Sequence, residues 1–185
     1  MADPLKIRAL TEAAIRAATG NGEIGDIGAW QQAMRRAITT GHTTATLVGA
    51  AERGVGGRIR AALARVVGTS ALDKDDRQRL ERRLREQDKY LNAFAADIAA
   101  GRLSPAQIAA RADLYAGATR ATYSEARWAN VQLPAHPGDG SSECLINCNC
   151  SWALRDDGYH WELGTAEHCP TCEARASQWR PYRGR

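Results

Sequence analysis

The chain has 185 residues, 44% apolar and 25% charged, which is enough apolar material for a packed core and excludes disorder throughout. Its net charge of +4 is short of the basic balance of a typical nucleic-acid-binding domain. No run approaches the roughly 18 apolar residues of a membrane span, and the first ten residues, MADPLKIRAL, hold no apolar signal-peptide stretch. The expectation is a soluble protein made in a cytoplasm, with no membrane contact. In that compartment five cysteines are metal ligands or free thiols rather than disulfides.

Composition changes along the chain. Through Asn130 there are 20 basic and 14 acidic residues, and from Val131 onward 5 and 7. All five cysteines fall between Cys144 and Cys172, and eight of the eleven aromatics follow residue 112. A boundary near residue 131 is expected, with a helical domain over 1–130 and a cysteine-rich module over 131–185.

The first helix starts at Pro4, where proline suits a first turn, and stops at Gly20-Asn21-Gly22. Ile27, Trp30, Met34 and Ile38 then recur at helical spacing, and the helix is expected to run past Gly41 to Leu47 and Val48. Gly54, Gly56 and Gly57 break it. A short apolar stretch, Ile59 to Val67, precedes Gly68.

Ser70 or Asp73 caps the most strongly patterned helix, whose apolar line is Leu80, Leu84, Leu91, Phe94 and Ile98, with Gln87 in the gap. Arg82, Arg83, Arg85, Glu86 and Lys89 around this line read as a solvated face. Gly101 ends the helix. Ser104-Pro105-Ala106-Gln107 starts the next with a capping box and a proline at the first helical position.

That next helix is expected to carry Ile108, Ala112, Tyr115, Ala118, Thr122 and Ala126 along one side and to form an antiparallel hairpin with its predecessor. Nothing in 1–130 has catalytic character. His42 stands alone and reads as a surface or core-edge residue, and Asp75 and Asp76 suit a helix start.

The strongest chemical signal is Cys144-Leu-Ile-Asn-Cys148-Asn-Cys150, followed by His168-Cys169-Pro-Thr-Cys172. A C-P-x-C turn presents two thiolates from one tight loop and can hold half of a tetrahedral zinc site. Between the clusters, Cys150 to Leu154 and Tyr159 to Leu163 alternate in period two around Asp156-Asp157-Gly158, a β-hairpin pattern. A unit below about 40 residues seldom stabilises itself by burial alone. A single structural Zn²⁺ per chain, in a zinc-ribbon-like module on a mainly α protein, is the expectation.

Five cysteines exceed four ligands. Cys169 and Cys172 are the firmest; the other pair is Cys148 with Cys150, or Cys144 with Cys148. His168 directly precedes a ligand and is expected to point away. Glu143, Glu162 and Glu167 are present, but no HExxH or HxE…PCxxC pattern organises them, so a closed site and no enzymatic activity are expected, with a zinc hydrolase the third reading.

The stretch Leu133-Pro-Ala-His-Pro-Gly-Asp-Gly-Ser-Ser-Glu-Cys144, then Asn147-Cys-Asn-Cys150-Ser-Trp152, then Glu167-His-Cys-Pro-Thr-Cys172 and Trp179, resembles the C-terminal part of phage head morphogenesis proteins. These are minor head proteins related to the Mu F-like type. Ile98 to Pro105 and Tyr115 to Arg120 are similar to the helical part of that family. The Mu F-like order places a C-x-x-C pair before an H-P-x-C-R-C element, whereas here the N-C-N-C element comes first, so ligand assignments do not carry over.

The resemblance implies a virion or assembly protein, oligomeric in the particle and present in the host cytoplasm during assembly. It implies portal and capsid proteins as partners, with packaged DNA a further candidate. The alternative is a zinc-ribbon nucleic-acid-binding accessory or regulatory factor, against which the module's net charge of −2 counts. In the last segment, Trp179 is expected to pack on the module or the helices. Arg183 to Arg185 are expected to stay mobile until a partner binds.

Overall fold

The computed structural model describes residues 4–53, 72–165 and 167–183. Helix α1 spans Pro4–Thr19 and buries Ile7, Thr11, Ile15 and Thr19, one face at a spacing of four. Helix α2 spans Ile27–Ala51, and Asp26 caps it by accepting from the Ala29 N–H at 2.9 Å. It runs straight through Gly41, as the pattern predicts. The glycine-rich break and the Ile59 to Val67 stretch lie outside the described residues.

Helix α3 spans Lys74–Ala99, capped by Asp73, whose side chain accepts from the Asp76 N–H at 2.8 Å. Leu80, Gln87, Leu91 and Phe94 are buried as the spacing requires. Arg82, Arg85, Glu86 and Lys89 are exposed, while Arg83 is half-buried and ion-paired with Glu125. Helix α4, Pro105–Gly117, opens with the predicted capping box: Gln107 N–H donates to Ser104 Oγ, and Ser104 N–H donates to Gln107 Oε1 at 2.9 Å.

Two expectations about the following segment are corrected. The single helix predicted to carry Ile108 through Ala126 is broken at Ala118, and helix α5, Thr119–Arg127, starts afresh. The Thr119 hydroxyl donates to the Ala116 carbonyl at 2.7 Å, a local bond that competes with the helical ladder at the break. The predicted close approach of α4 to α3 is also looser than expected, because α4 lies along α1 while α3 lies along α2. The two helices meet in antiparallel register through their side chains: Phe94 stacks on Tyr115, and Arg111 pairs with Asp97 at 2.6 Å. The small side chains bring α2 and α5 together instead.

Helix α2 is thus the centre of the body, with α1, α3 and α5 packed around it. Gly41 meets α1 so closely that a Cβ there would lie 2.4 Å from the Thr11 hydroxyl. At Gly49 a Cβ would lie 2.5 Å from the Tyr123 carbonyl of α5. The main core joins Ile15, Trp30, Met34, Ile38, Leu91, Phe94, Ile108 and Tyr115, with Trp30 edge-on to Phe94 at 5.2 Å.

His42 is a further correction: it is fully buried, with Nδ1 2.7 Å from Thr122 Oγ1 on α5. The approach of α5 to α2, invisible to helical periodicity, is what encloses it. Asp76 also does more than suit a helix start. It is 2% exposed and accepts from Arg53 and Arg79 at 2.5 and 2.6 Å, while Arg53 also donates to the Ala126 carbonyl at 2.8 Å. One buried ionic group therefore ties the end of α2 to α3 and α5.

The C-terminal third holds a short 3₁₀ turn, Leu145–Asn147, strands β1 (Ser151–Arg155) and β2 (Gly158–Glu162), and helix α6, Pro170–Gln178. The hairpin turns at Asp156 and Asp157, with Trp152 opposite Trp161. The architecture is therefore mainly α with a small C-terminal hairpin beside a cysteine cluster. Among the described residues, no helix is long and apolar enough to cross a membrane.

Two outcomes test this packing. Asp76→Ala leaves two arginines without their buried partner and should cost about 3 kcal/mol in urea unfolding. Burial, helped by nearby Arg83, holds the His42 imidazole down at about 3, and burial lowers His136 as well. An unfolded His takes up its proton near 6.5, so stability should fall as pH drops from there toward 3. His42→Leu cannot titrate and should lose less stability than the parent between about pH 7 and about pH 5.

Candidate metal centre

Each cysteine is placed by a local structure the sequence encodes. Cys144 and Cys148 flank the 3₁₀ turn, in which Leu145 adopts a positive φ of 49° and the Asn147 N–H donates to the Cys144 carbonyl at 2.9 Å. Cys150 immediately precedes β1. Cys169 caps α6, Pro170 occupies its first turn, and the Cys172 N–H donates to the Cys169 carbonyl at 2.9 Å. Two turns from opposite ends of the module thus aim their thiols at one point.

The sulfurs meet there. Cys169 Sγ lies 3.5 Å from Cys144 Sγ, and Cys144 and Cys148 Sγ each lie 3.6 Å from Cys172 Sγ. A tetrahedron with zinc–sulfur arms of about 2.3 Å has sulfur–sulfur edges of about 3.8 Å. These three spacings are close to such edges, so the cluster has the donors and the compactness to hold a metal ion. All five predicted residues take part. Cys144, Cys169 and Cys172 form one group with sulfurs within 4.8 Å of one another, and Cys148, Cys150 and Cys172 form another. Cys172 belongs to both. Cys148, Cys150 and Cys172 are buried; Cys144 and Cys169 are half-buried.

The thiols do not share one proton affinity. A hydrogen bond from the Cys150 thiol, the largest influence, draws Cys148 down to about 5 against the opposing effect of burial. That same bond pushes Cys150 up. Burial raises Cys172 and Cys144. At Cys169 burial is outweighed by the backbone N–H groups around it, and the thiol titrates near 7. A thiolate at Cys148 is therefore available at neutral pH, and a soft cation entering the cluster would displace the remaining protons.

The imidazoles and carboxylates nearby are engaged elsewhere. His168 Nε2 lies 3.0 Å from the Gly164 carbonyl, His160 Nε2 lies 2.7 Å from Asp157, and Glu143 accepts from Thr171 at 3.0 Å. Glu162 pairs with Arg155 across the hairpin.

An aromatic wall closes one side. Trp152 stands edge-on to Trp161 at 5.3 Å, and Trp179 stacks on Trp152 and meets Trp161 edge-on, both at 5.6 Å. Arg175 lies over Trp161 and Trp179 at 5.3 and 5.2 Å. Trp179 packs on the module, as the sequence suggests. Tyr182, in a segment that reads as poor strand, pairs with Tyr159 through backbone bonds of 2.7 and 2.8 Å and adds a third strand position beside β2. Arg183 is exposed, and Gly184 and Arg185 lie outside the described residues.

Sequence reasoning missed the residues that seat this cluster on the helices. Arg120 of α5, 5% exposed, donates to Asn149 Oδ1 at 2.9 Å and to the Cys150 carbonyl at 2.8 Å. Ile146 lies against Gly117 at the end of α4, and Trp128 meets Tyr159 edge-on at 5.6 Å. Trp152 Nε1 donates to the Ala135 carbonyl at 2.9 Å. The one available signal for Arg120 was an arginine amid small apolar residues.

Trp179→Ala removes a ring stacked against two others and should destabilise the module by about 3 kcal/mol. Hydrogen exchange at β1 and β2 would report it, with α1 and α2 much less affected.

Compared with protein-family models, with curated proteins and with solved structures, the chain matches none.

Proposed function

We propose that the protein is a structural, non-enzymatic component of a phage head, acting with portal and capsid proteins during assembly, and that its C-terminal module is stapled by one zinc ion. The observation that carries this reading is the all-cysteine cluster. Five sulfurs converge with neither imidazole nor carboxylate among them, behind a tryptophan wall and against a helical body. Such a donor set suits a closed structural ion, which would supply cross-linking and charge rather than an open coordination position. The phage assignment itself is supported by the resemblance carried by Leu133 to Cys144, Asn147 to Trp152 and Glu167 to Cys172.

Zinc also answers a stability problem. The hairpin offers few large apolar residues of its own, and a metal that binds only the folded module adds its binding free energy to folding. The protein chain contributes the rest: Arg120 and Gly117 fix the upstream cysteine turn, and α6 fixes the downstream pair. The gene should lie beside portal and capsid genes, and the chain should be found by mass spectrometry in purified particles. A chain absent from particles that binds duplex DNA at physiological salt would instead be the zinc-ribbon nucleic-acid binder.

Protein purified without added metal should carry about one zinc per chain by elemental analysis. Cys172→Ser, which removes the sulfur common to both groups, should abolish metal retention. Metal-free protein with all thiols reactive and an unchanged melting curve would reject the staple.

A further inference from the structure

We propose that Cys144, Cys148, Cys169 and Cys172 are the four metal ligands and that Cys150 is held outside the coordination sphere as a thiol positioned on the Cys148 sulfur. This inference rests on the zinc reading above. Sulfur contacts of 3.5, 3.6 and 3.6 Å run Cys169–Cys144–Cys172–Cys148 and link those four residues. Each is near the roughly 3.8 Å edge of a four-sulfur zinc tetrahedron. Cys148 and Cys150 both group with Cys172, apart from Cys144 and Cys169, and of these two Cys148 is the one whose sulfur lies 3.6 Å from the Cys172 sulfur.

Backbone placement gives the same division. The four ligands come as two pairs, each presented by a turn: Cys144 and Cys148 by the 3₁₀ turn, Cys169 and Cys172 by the first turn of α6. Cys150 lies beyond the turn, where Arg120 holds its carbonyl at 2.8 Å and β1 begins at the next residue. Its strand-like spacing from Cys148 puts both side chains on one face, so its sulfur is buried beside the ligands.

A thiol in that position is a hydrogen-bond donor to a coordinating thiolate. Such outer partners reduce the sulfur's reactivity and help retain the metal. Cys150 is therefore a positioning residue, and its loss should alter how Cys148 reacts without changing how many sulfurs bind.

Cobalt substitution tests this, because sulfur-to-cobalt charge-transfer intensity scales with the number of thiolate ligands. The parent, Cys150→Ser and Cys150→Ala should each bind one cobalt with a four-thiolate spectrum, and Cys169→Ser or Cys144→Ser should lose a thiolate's share or the metal. Zinc-loaded Cys150→Ala should release metal to an alkylating reagent several-fold faster than the parent. Cys150→Ser, whose hydroxyl can donate, should restore much of the protection.

A three-thiolate spectrum, or loss of metal or fold, in both Cys150 variants would overturn the assignment while leaving the zinc reading intact. Equal release rates for parent and Cys150→Ala would overturn the positioning role. A parent chain that takes neither zinc nor cobalt would overturn the zinc reading and the assignment together.

Discussion

The C-terminal third depends on the position of one sulfur. Cys172 Sγ is fully buried and is the vertex common to both three-sulfur groups, so the segments Cys144 to Cys150 and Cys169 to Cys172 converge on it. Packing this many thiols into so small a volume is unfavourable once more than one ionises, because like charges repel strongly where water is excluded. A soft divalent cation bound there would turn the repulsion into attraction. Trp152 and Trp161 share one buried cluster with Cys148, Cys150 and Cys172, beside the thiols that α6 and the 3₁₀ turn bring together.

A buried side-chain cation, the guanidinium of Arg120, links this arrangement to the helices. Its bonds to Asn149 and Cys150 are made from α5, which in turn is pressed against α2 through Gly49 and encloses His42. The chain therefore provides a continuous line of contact from the cysteine turn through α5 to α2. Ser124, on the same helix, reaches His136 at 3.0 Å and holds the loop that leads into the module. The junction near residue 131 is thus a change of composition within a contacting structure.

What the sequence made legible was local chemistry. The Ser104 capping box, the Asp73 cap, the stripe from Leu80 to Phe94, the Asp156-Asp157 turn and each half of the cysteine cluster depend on residues a few positions apart, whose geometry the backbone enforces. Apart from the break at Ala118, which a local Thr119 bond accompanies, the failures were non-local. Helical periodicity cannot reveal that α5 will cover His42, because the covering residue is Thr122, eighty positions away. Nor could spacing show that the small residues after Ala112 would approach α2 rather than α3. Among the cysteines, sequence gave the set, while choosing four of them needed the three-dimensional course of the chain between Cys144 and β1.

Helix α2 carries its two closest contacts on glycines, Gly41 against α1 and Gly49 against α5, on different sides of the same rod. Every missense codon change at either position adds at least a Cβ, and the atoms it would meet belong to a β-branched side chain and to a backbone carbonyl. Sequence drift along this helix is therefore uneven. The half-buried Thr43 and Thr44 between these sites have more room to vary, whereas a neutral replacement at either glycine requires a neighbouring helix to move with it. Because α5 bears Arg120, a displacement begun at Gly49 would reach the cysteine turn without any change in the module's own codons.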